Sequence, residues 1–305
     1  RRRRRRRRGR LARGGRARGE DALRARIARG RTVDASVACL WFGRLRLGRG
    51  FGMSAGALVG PTLHNRLPRI LGLVAFAGLF LLSALVAATF FRDAEGHVAL
   101  GELFAVGGYP LASALLLLGW LIGRFPLIAI LVLVAGLVSR DRASGRLRLY
   151  AARPASLLAV YALRFAVLAV VAFALSALLM PTFDLLLLGD WAGPATFVLI
   201  LAQVLVYGGL AAFLSVWTRA DAWIALGLAV TALVWEAALR APSVSVPEGP
   251  RAILTLLLPP QWAMLELESA FAALQPIPWD AFAFTAGYGL AMLLLAGVSL
   301  AYRER

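Results

Sequence analysis

The chain contains no lysine, one cysteine (Cys39) and two histidines (His64 and His97) among its 305 residues. Without lysine it cannot form a P-loop, because that motif uses a lysine to contact the β- and γ-phosphates of ATP. A single cysteine cannot form a disulfide within the chain. Two histidines with no acidic cluster beside them give no support for a metal centre or a histidine-based triad. We therefore predict that the chain is not itself an enzyme and holds no metal or other cofactor.

Hydrophobic residues dominate the composition. They make up 60% of the chain, and the mean hydropathy is +0.74, whereas soluble domains contain roughly 45 to 50% apolar residues. A helix that crosses a bilayer needs about 20 apolar residues. The pattern predicts an all-α integral membrane protein with six transmembrane helices near residues 70–91, 114–138, 157–180, 194–217, 222–239 and 281–302.

The formal net charge of +18 is concentrated at the N-terminus, where Arg1–Arg8 is an unbroken arginine run. The first methionine is Met53. We expect residues 1–52 to be a start-site artefact or a disordered polybasic extension, and residues 53–305 to form the membrane domain. Because the charge outside this extension is ordinary, we expect no nucleic-acid partner.

The remaining arginines predict the orientation in the bilayer. Short arginine-rich loops stay on the cytoplasmic side during insertion. With the N-terminus inside, ten arginines of residues 53–305 fall in inner segments and three in outer ones, which are Arg92, Arg240 and Arg251. We therefore predict a multi-pass protein of the cell (inner) membrane with both termini in the cytoplasm.

Two apolar segments are too short or too interrupted to span. Residues 54–69 combine leucines with Arg66 and Arg69, which is typical of an amphipathic helix in the inner interface. Residues 251–274 are broken by Pro259 and Pro260, and we expect a re-entrant pair of short helices on the outer side.

The inner segment between the second and third spans carries a motif. Arg140, Arg142, Arg146, Arg148 and Arg153 outnumber the single acid Asp141. This segment resembles the inner loop of ABC transporter membrane subunits of the type 2 exporter-like permease superfamily. The matching residues are Asp141, Arg142, Gly145, Leu147 and Pro154, with Arg164 where that family usually has lysine. The departures are Ala143, Arg146, Tyr150, Ala151 and Leu163.

The resemblance implies a permease subunit of an ATP-driven transporter, most often an exporter. It also implies a separate ATP-binding subunit that holds ATP and magnesium, and a second permease chain, identical or homologous, beside this one in the bilayer. The residues expected to form the coupling helix are Asp141, Arg142, Gly145, Arg146, Leu147, Tyr150, Arg153 and Pro154. From the residues alone, Leu147 and Tyr150 can pack inward while Arg142, Arg146 and Arg153 face water or an acidic partner. The alternative is a loop that only sets topology.

Few polar residues lie inside the predicted spans. Gln203 and Glu236 are the candidates for facing a transport pathway, although Arg240 lies four residues after Glu236 and makes a local ion pair the alternative. Arg124 is expected to anchor the second span at the outer interface. Close helix packing is expected at Gly208, Gly209, Gly287 and Gly289.

Two other functions stay open at this point, and the substrate is open as well. The chain can be a non-transporting assembly or maturation factor with a permease-like fold. It can also be an ion-coupled secondary transporter, which usually has charged or broken helices at the membrane midplane; only Gln203 comes close to that pattern.

Overall fold

The computed structural model describes residues 55–90, 119–147, 156–187, 193–241, 247–272 and 275–303, with a few single positions between them. The described ranges contain helices, turns and extended connections and no β-strand. The predictions for residues 1–52 and for Tyr150, Arg153 and Pro154 concern residues outside these ranges.

In chain order, the described helices are α1 (Ala55–Phe90), α2 (Phe125–Val134), α3 (Ser139–Ala143), α4 (Leu157–Leu187), α5 (Ala195–Trp217), α6 (Asp221–Arg240), α7 (Glu248–Leu257), α8 (Gln261–Ala272) and α9 (Trp279–Arg303). Five of them, α1, α4, α5, α6 and α9, are long and apolar enough to cross a membrane. The structure therefore confirms an all-helical, multi-span membrane protein.

The predicted second span, 114–138, is wrong as one continuous helix. In the described part of this region, residues 119–123 are also helical, and α2 itself has 10 residues. A turn at Arg124 precedes α2, and Pro126 occupies its first turn, where a missing N–H is tolerated. Gly136, with φ +72°, ends it in a left-handed conformation. The helix stops here because the chain must turn into α3.

The first span also differs from its prediction. The expected interfacial helix 54–69 and the span 70–91 form one 36-residue helix, α1, with Pro61 and Pro68 inside it. At helical rise it is about 54 Å long, so it must tilt or extend beyond a hydrocarbon core of roughly 30 Å. Thr62 and Arg66, in its first half, are buried against the bundle. Tertiary contacts thus keep this part helical and in line with the span.

The predicted break at Pro259 and Pro260 is confirmed, since it separates α7 from α8. Leu258, both prolines and Gln261 are buried. The Tyr207 hydroxyl donates to Gln261 Oε1 at 3.1 Å. Tyr207 lies near the middle of the 23-residue helix α5, so the break between α7 and α8 lies at the middle of α5 along its axis.

Helix α5 is the centre of the bundle. Two thirds (67%) of its most apolar stretch is buried, compared with 17 to 28% in the other four candidate spans. It packs against α2, α4, α6, α8 and α9. The Arg303 guanidinium at the end of α9 lies over the Trp217 ring at the end of α5, so the two helices run parallel.

Glycines allow α5 and α9 to approach closely. A Cβ at Gly289 would lie 2.6 Å from the carbonyl carbon of Leu205, and a Cβ at Gly209 would meet the Gly289 carbonyl oxygen. A Cβ at Gly208 would lie 2.8 Å from Ile130 Cγ1, whereas Gly287 has open space around it. The packing role predicted for these glycines is confirmed at Gly208, Gly209 and Gly289, and Gly287 has no such role.

We expect Gly289→Ala to lower the free energy of unfolding by about 2 kcal/mol, because the added methyl group meets backbone atoms of α5 that cannot move aside. Thermal unfolding in detergent, followed by tryptophan fluorescence, measures the effect. Gly287→Ala, two residues away on the same helix, is the matched control and should leave stability unchanged or slightly higher, since alanine favours helix. Equal stability of the two variants would contradict the close approach.

Candidate functional site

One end of the bundle gathers the ends of six helices. Here α2 and α5 end, α4 and α6 begin, α3 lies between them, and Arg303 marks the end of α9. We call this the basic end, because it contains Arg66, Arg69, Arg140, Arg142, Arg146, Arg164, Arg219 and Arg303. The coupling helix predicted from sequence lies here.

Two arginines of α1 donate hydrogen bonds to carbonyl groups at the C-terminal end of α2. The last carbonyl groups of a helix have no partner within it. Arg66 Nη1 donates to the Ala135 carbonyl oxygen at 2.7 Å. Arg69 Nη1 donates to the Val132 and Ala135 carbonyl oxygens at 2.7 and 2.8 Å. Positive charge at a helix C-terminus is favourable, so α2 can end inside the bundle without unpaired carbonyl groups.

The corner after α2 is tied to α6. The Gly136 N–H donates to Asp221 Oδ2 at 2.7 Å, and the carboxylate also accepts from the Ala222 N–H at 2.9 Å. Asp221 is only 2% exposed and interacts favourably with the charges of Arg66 and Arg69. Glycine is required at 136 because φ is +72° and a Cβ would lie 2.8 Å from Arg140 Cγ.

Asp141 connects α3 to α4. Its Oδ2 accepts hydrogen bonds from the Tyr161 hydroxyl at 3.0 Å and from Arg164 Nη1 at 2.6 Å. The Asp141 and Arg164 side chains are each 13% exposed, so this is a nearly buried, charge-assisted pair. The Arg164 guanidinium also lies 5.5 Å from the centre of the Tyr161 ring.

Arg142 connects α3 to α5. It donates to the Val216 carbonyl oxygen at 2.5 Å and to that of Trp217 at 3.4 Å, at the end of α5. Burial, followed by repulsion from Arg303 and Arg219, lowers the pKa of Arg142 from its usual value. Arg142, which the sequence placed toward water or an acidic partner, is half-buried and directs its donors to the carbonyl groups at the end of α5.

The segment after α3 is the outermost part of the predicted coupling helix. Residues 143–146 are exposed, and we call them the tip. Gly145 has φ +74°, so it supplies the bend expected from sequence. Leu147 packs against the hydrophobic core, as predicted. Arg146 is exposed and has no ion pair within the described residues.

Gln203 and Glu236, the two pathway candidates inside the predicted spans, lie in different surroundings. Gln203 is 1% exposed, and its Nε2 donates to the Gly123 carbonyl oxygen at 2.9 Å. Its Oε1 is buried without a hydrogen-bond partner among the described residues. Glu236 accepts from Arg240 Nε at 3.1 Å, which is the local ion pair that the sequence offered as the alternative to a pathway role.

A buried ion pair that the sequence did not predict lies at the opposite end of α2. Arg124 pairs with Glu268 of α8, and the two side chains are 15% and 23% exposed. Arg124 therefore holds α8 against α2 and is not the lipid-facing anchor expected from sequence. Together with Gln203 and the Tyr207–Gln261 hydrogen bond, it forms a polar cluster within the bundle.

Sequence reasoning also missed Asp221 and Tyr161. Asp221 is the first residue of α6, where an acidic residue reads as an ordinary helix start. Tyr161 precedes Arg164 by one helical turn, but nothing in the pattern pairs it with Asp141, 20 residues earlier. Only the three-dimensional contacts bring these residues to the basic end.

We expect Asp141→Asn to lower the free energy of unfolding by about 3 kcal/mol, because it removes the negative charge from the nearly buried pair of Asp141 and Arg164. Glu236→Gln removes an acid from the pair with Arg240, which is 60% exposed, and should cost less than about 0.5 kcal/mol. Denaturant unfolding in detergent compares the two variants. Adding Arg164→Gln to Asp141→Asn should recover part of the loss. Equal effects of the two single variants would contradict the buried pair.

Comparison with known proteins gives this chain no relatives. No protein family, no curated protein and no solved structure matches it. Its function must therefore be inferred from the geometry of the helices and from the contacts at the basic end.

Proposed function

We propose that this chain is the membrane-spanning permease subunit of an ATP-driven ABC transporter, and that it works as an exporter. ATP and magnesium would bind a separate subunit, and a second permease chain, identical or homologous, would complete the pathway. One observation carries the proposal. A short helix with an exposed tip at the basic end is bonded to the long helices around it.

The contacts around α3 suit the transmission of force. Asp141 ties α3 to α4, and Arg142 ties it to α5. The corner before α3 is tied to α6 through Gly136 and to α1 through Ala135. A partner that displaced the tip would therefore move the ends of four long helices together, whereas a loop that only sets topology needs none of these bonds.

We further propose that α7 and α8 form a re-entrant pair that enters from the end opposite the basic end. The supporting observations are the break at Pro259 and Pro260 and the hydrogen bond from Tyr207, at the middle of α5, to Gln261. The Arg124–Glu268 pair then lies closer to that opposite end. With the short α2, this arrangement amounts to a sixth, interrupted crossing.

The charge distribution supports a cytoplasmic location for the basic end, in the cell (inner) membrane. Arginine near the ends of spans is retained on the cytoplasmic side. Eight of the described arginines lie at this end, while Arg124, Arg240 and Arg251 lie elsewhere. Both chain termini would then be cytoplasmic.

Cysteine labelling tests this orientation. In a Cys39→Ala background, we expect Ser144→Cys, on the exposed tip, to react with a membrane-impermeant maleimide only after the membrane is permeabilised. Ser269→Cys, exposed on α8, should react in intact spheroplasts. The pair differs only in which end of the bundle carries the thiol. The reverse labelling pattern would contradict the proposed orientation.

Charge reversal at the tip tests the coupling role. We expect Arg146→Glu to reduce the amount of ATP-binding subunit captured with the full chain from its native host on the order of tenfold, equivalent to about 1.4 kcal/mol. The subunit is identified by its P-loop sequence and by ATP hydrolysis. Arg219→Glu, an exposed reversal at the same end outside the tip, is the matched control and should capture normally. Arg142→Glu is unsuitable because it would also uncap α5.

Two outcomes would contradict the coupling role. One is unchanged capture and ATP hydrolysis with Arg146→Glu, and the other is equal loss with Arg219→Glu. Recovery of the chain with a non-ATPase enzyme would favour an assembly or maturation factor. Recovery of the chain alone would favour an ion-coupled transporter, the candidate supported by the buried polar cluster of Gln203, Tyr207, Gln261, Arg124 and Glu268 beside a broken helix pair.

A further inference from the structure

A cavity of about 280 Å³ opens at the basic end between α1, α3 and α4. Its polar lining includes Arg66, Arg140, Arg146, Arg164 and Asp141. Leu137 and Leu168 form an apolar part of the wall. The volume is near the lower limit for small-molecule sites, which suits a compact polar group better than a large ligand.

The lining carries more positive charge than the protein balances. Four arginines face one aspartate, so three positive charges are in excess. The Asp141 carboxylate already accepts from Tyr161 and Arg164. Arg66, only 8% exposed, is repelled by Arg69 and Arg140 and attracted by Asp141 and Asp221. Like charges gathered in a partly buried place are costly, and an anion in the cavity would relieve that cost.

The arginines that line the cavity have N–H donors for which the described residues supply few acceptors. A guanidinium group has five N–H donors, and the structure gives Arg66 one protein acceptor, the Ala135 carbonyl oxygen. Neither Arg140 nor Arg146 has an ion pair within the described ranges. The aliphatic part of the Arg140 side chain lies across Gly136, where its Cδ is 2.9 Å from the position that a Cβ at residue 136 would occupy. The guanidinium group of Arg140 is therefore held beside the cavity.

We propose that this cavity binds a phosphate-bearing anion through Arg66, Arg140 and Arg146. The planar fork of arginine matches the oxygen geometry of phosphate and forms paired, charge-assisted hydrogen bonds with it. Carboxylates are less suited to three converging forks, because they offer two oxygens to the donors while a phosphate offers more.

Two sources can supply this chemistry. The cavity lies beside the first half of α1, which extends toward one membrane face, so the phosphate of an anionic lipid headgroup can enter with its chains along the apolar wall. A soluble phosphate compound can enter from the aqueous side. Arg146 is shared with the proposed partner contact, but the site is complete within this chain, so its binding test needs no ATPase partner.

The experiment uses the full chain, purified and delipidated in neutral detergent. Binding is measured by native mass spectrometry and by titration of the tryptophan fluorescence. The probes are dioctanoyl phosphatidylglycerol, inorganic phosphate, and dioctanoylglycerol, which has the same chains and no phosphate. We expect saturable binding of the phospholipid, weakened at least tenfold, or about 1.4 kcal/mol, by Arg140→Gln with Arg146→Gln. Arg219→Gln is the matched control at the same end and should change the affinity less than about twofold.

Each outcome decides the proposal. Binding of the phospholipid alone supports a lipid headgroup, and comparable binding of inorganic phosphate supports a soluble anion. Binding of neither, equal binding of dioctanoylglycerol, or equal weakening by Arg219→Gln would overturn the proposal. If the double variant unfolds without ligand, Arg146→Gln alone, at an exposed position, replaces it. No ATPase is present, so failure here is distinguishable from failure of the proposed permease function.

Discussion

The organisation of the basic end depends on the carbonyl groups at the C-termini of α2 and α5. Helix α2 ends within the bundle, where an unpaired buried carbonyl group is costly. Arg66 and Arg69 from α1 donate to the end of α2, and Arg142 from α3 donates to the end of α5. Because each donor belongs to a different helix from its acceptor, satisfying the backbone also fixes how the helices meet.

The same requirement explains the charge pattern around α3. Capping two helix ends brings several guanidinium groups into a small volume, and the protein supplies two carboxylates, Asp141 and Asp221, to offset them. Both are buried and fully used in ties to neighbouring helices. The charge that remains lies on Arg140 and Arg146, which both line the cavity; Arg146 also belongs to the exposed tip. This is the charge on which the proposed partner contact and the proposed anion site depend.

The remainder of the bundle is held by packing and by a few buried polar contacts. Gly209 and Gly289 let α5 and α9 approach to backbone contact, which gives α5 its central position. Tyr207 and Gln261 fix the break between α7 and α8 against α5, and the Arg124–Glu268 pair holds α8 to α2. Helix α2 is thus held at both ends, by the contacts of the basic end and by α8.

Local composition was enough to predict the membrane class, five of the spans, the break at Pro259 and Pro260, and the position of the arginine-rich segment. These features follow from local composition, because long apolar runs, paired prolines and charge blocks act within a few turns of chain. The packing at Gly209 and Gly289 was also predictable from small residues in a span. Three features emerged from the folded structure alone: Arg142 caps α5, Arg124 pairs with Glu268, and α1 is continuous whereas the second predicted span is interrupted at Arg124. Those outcomes depend on which distant backbone and carboxylate groups lie within reach, and no local pattern records that.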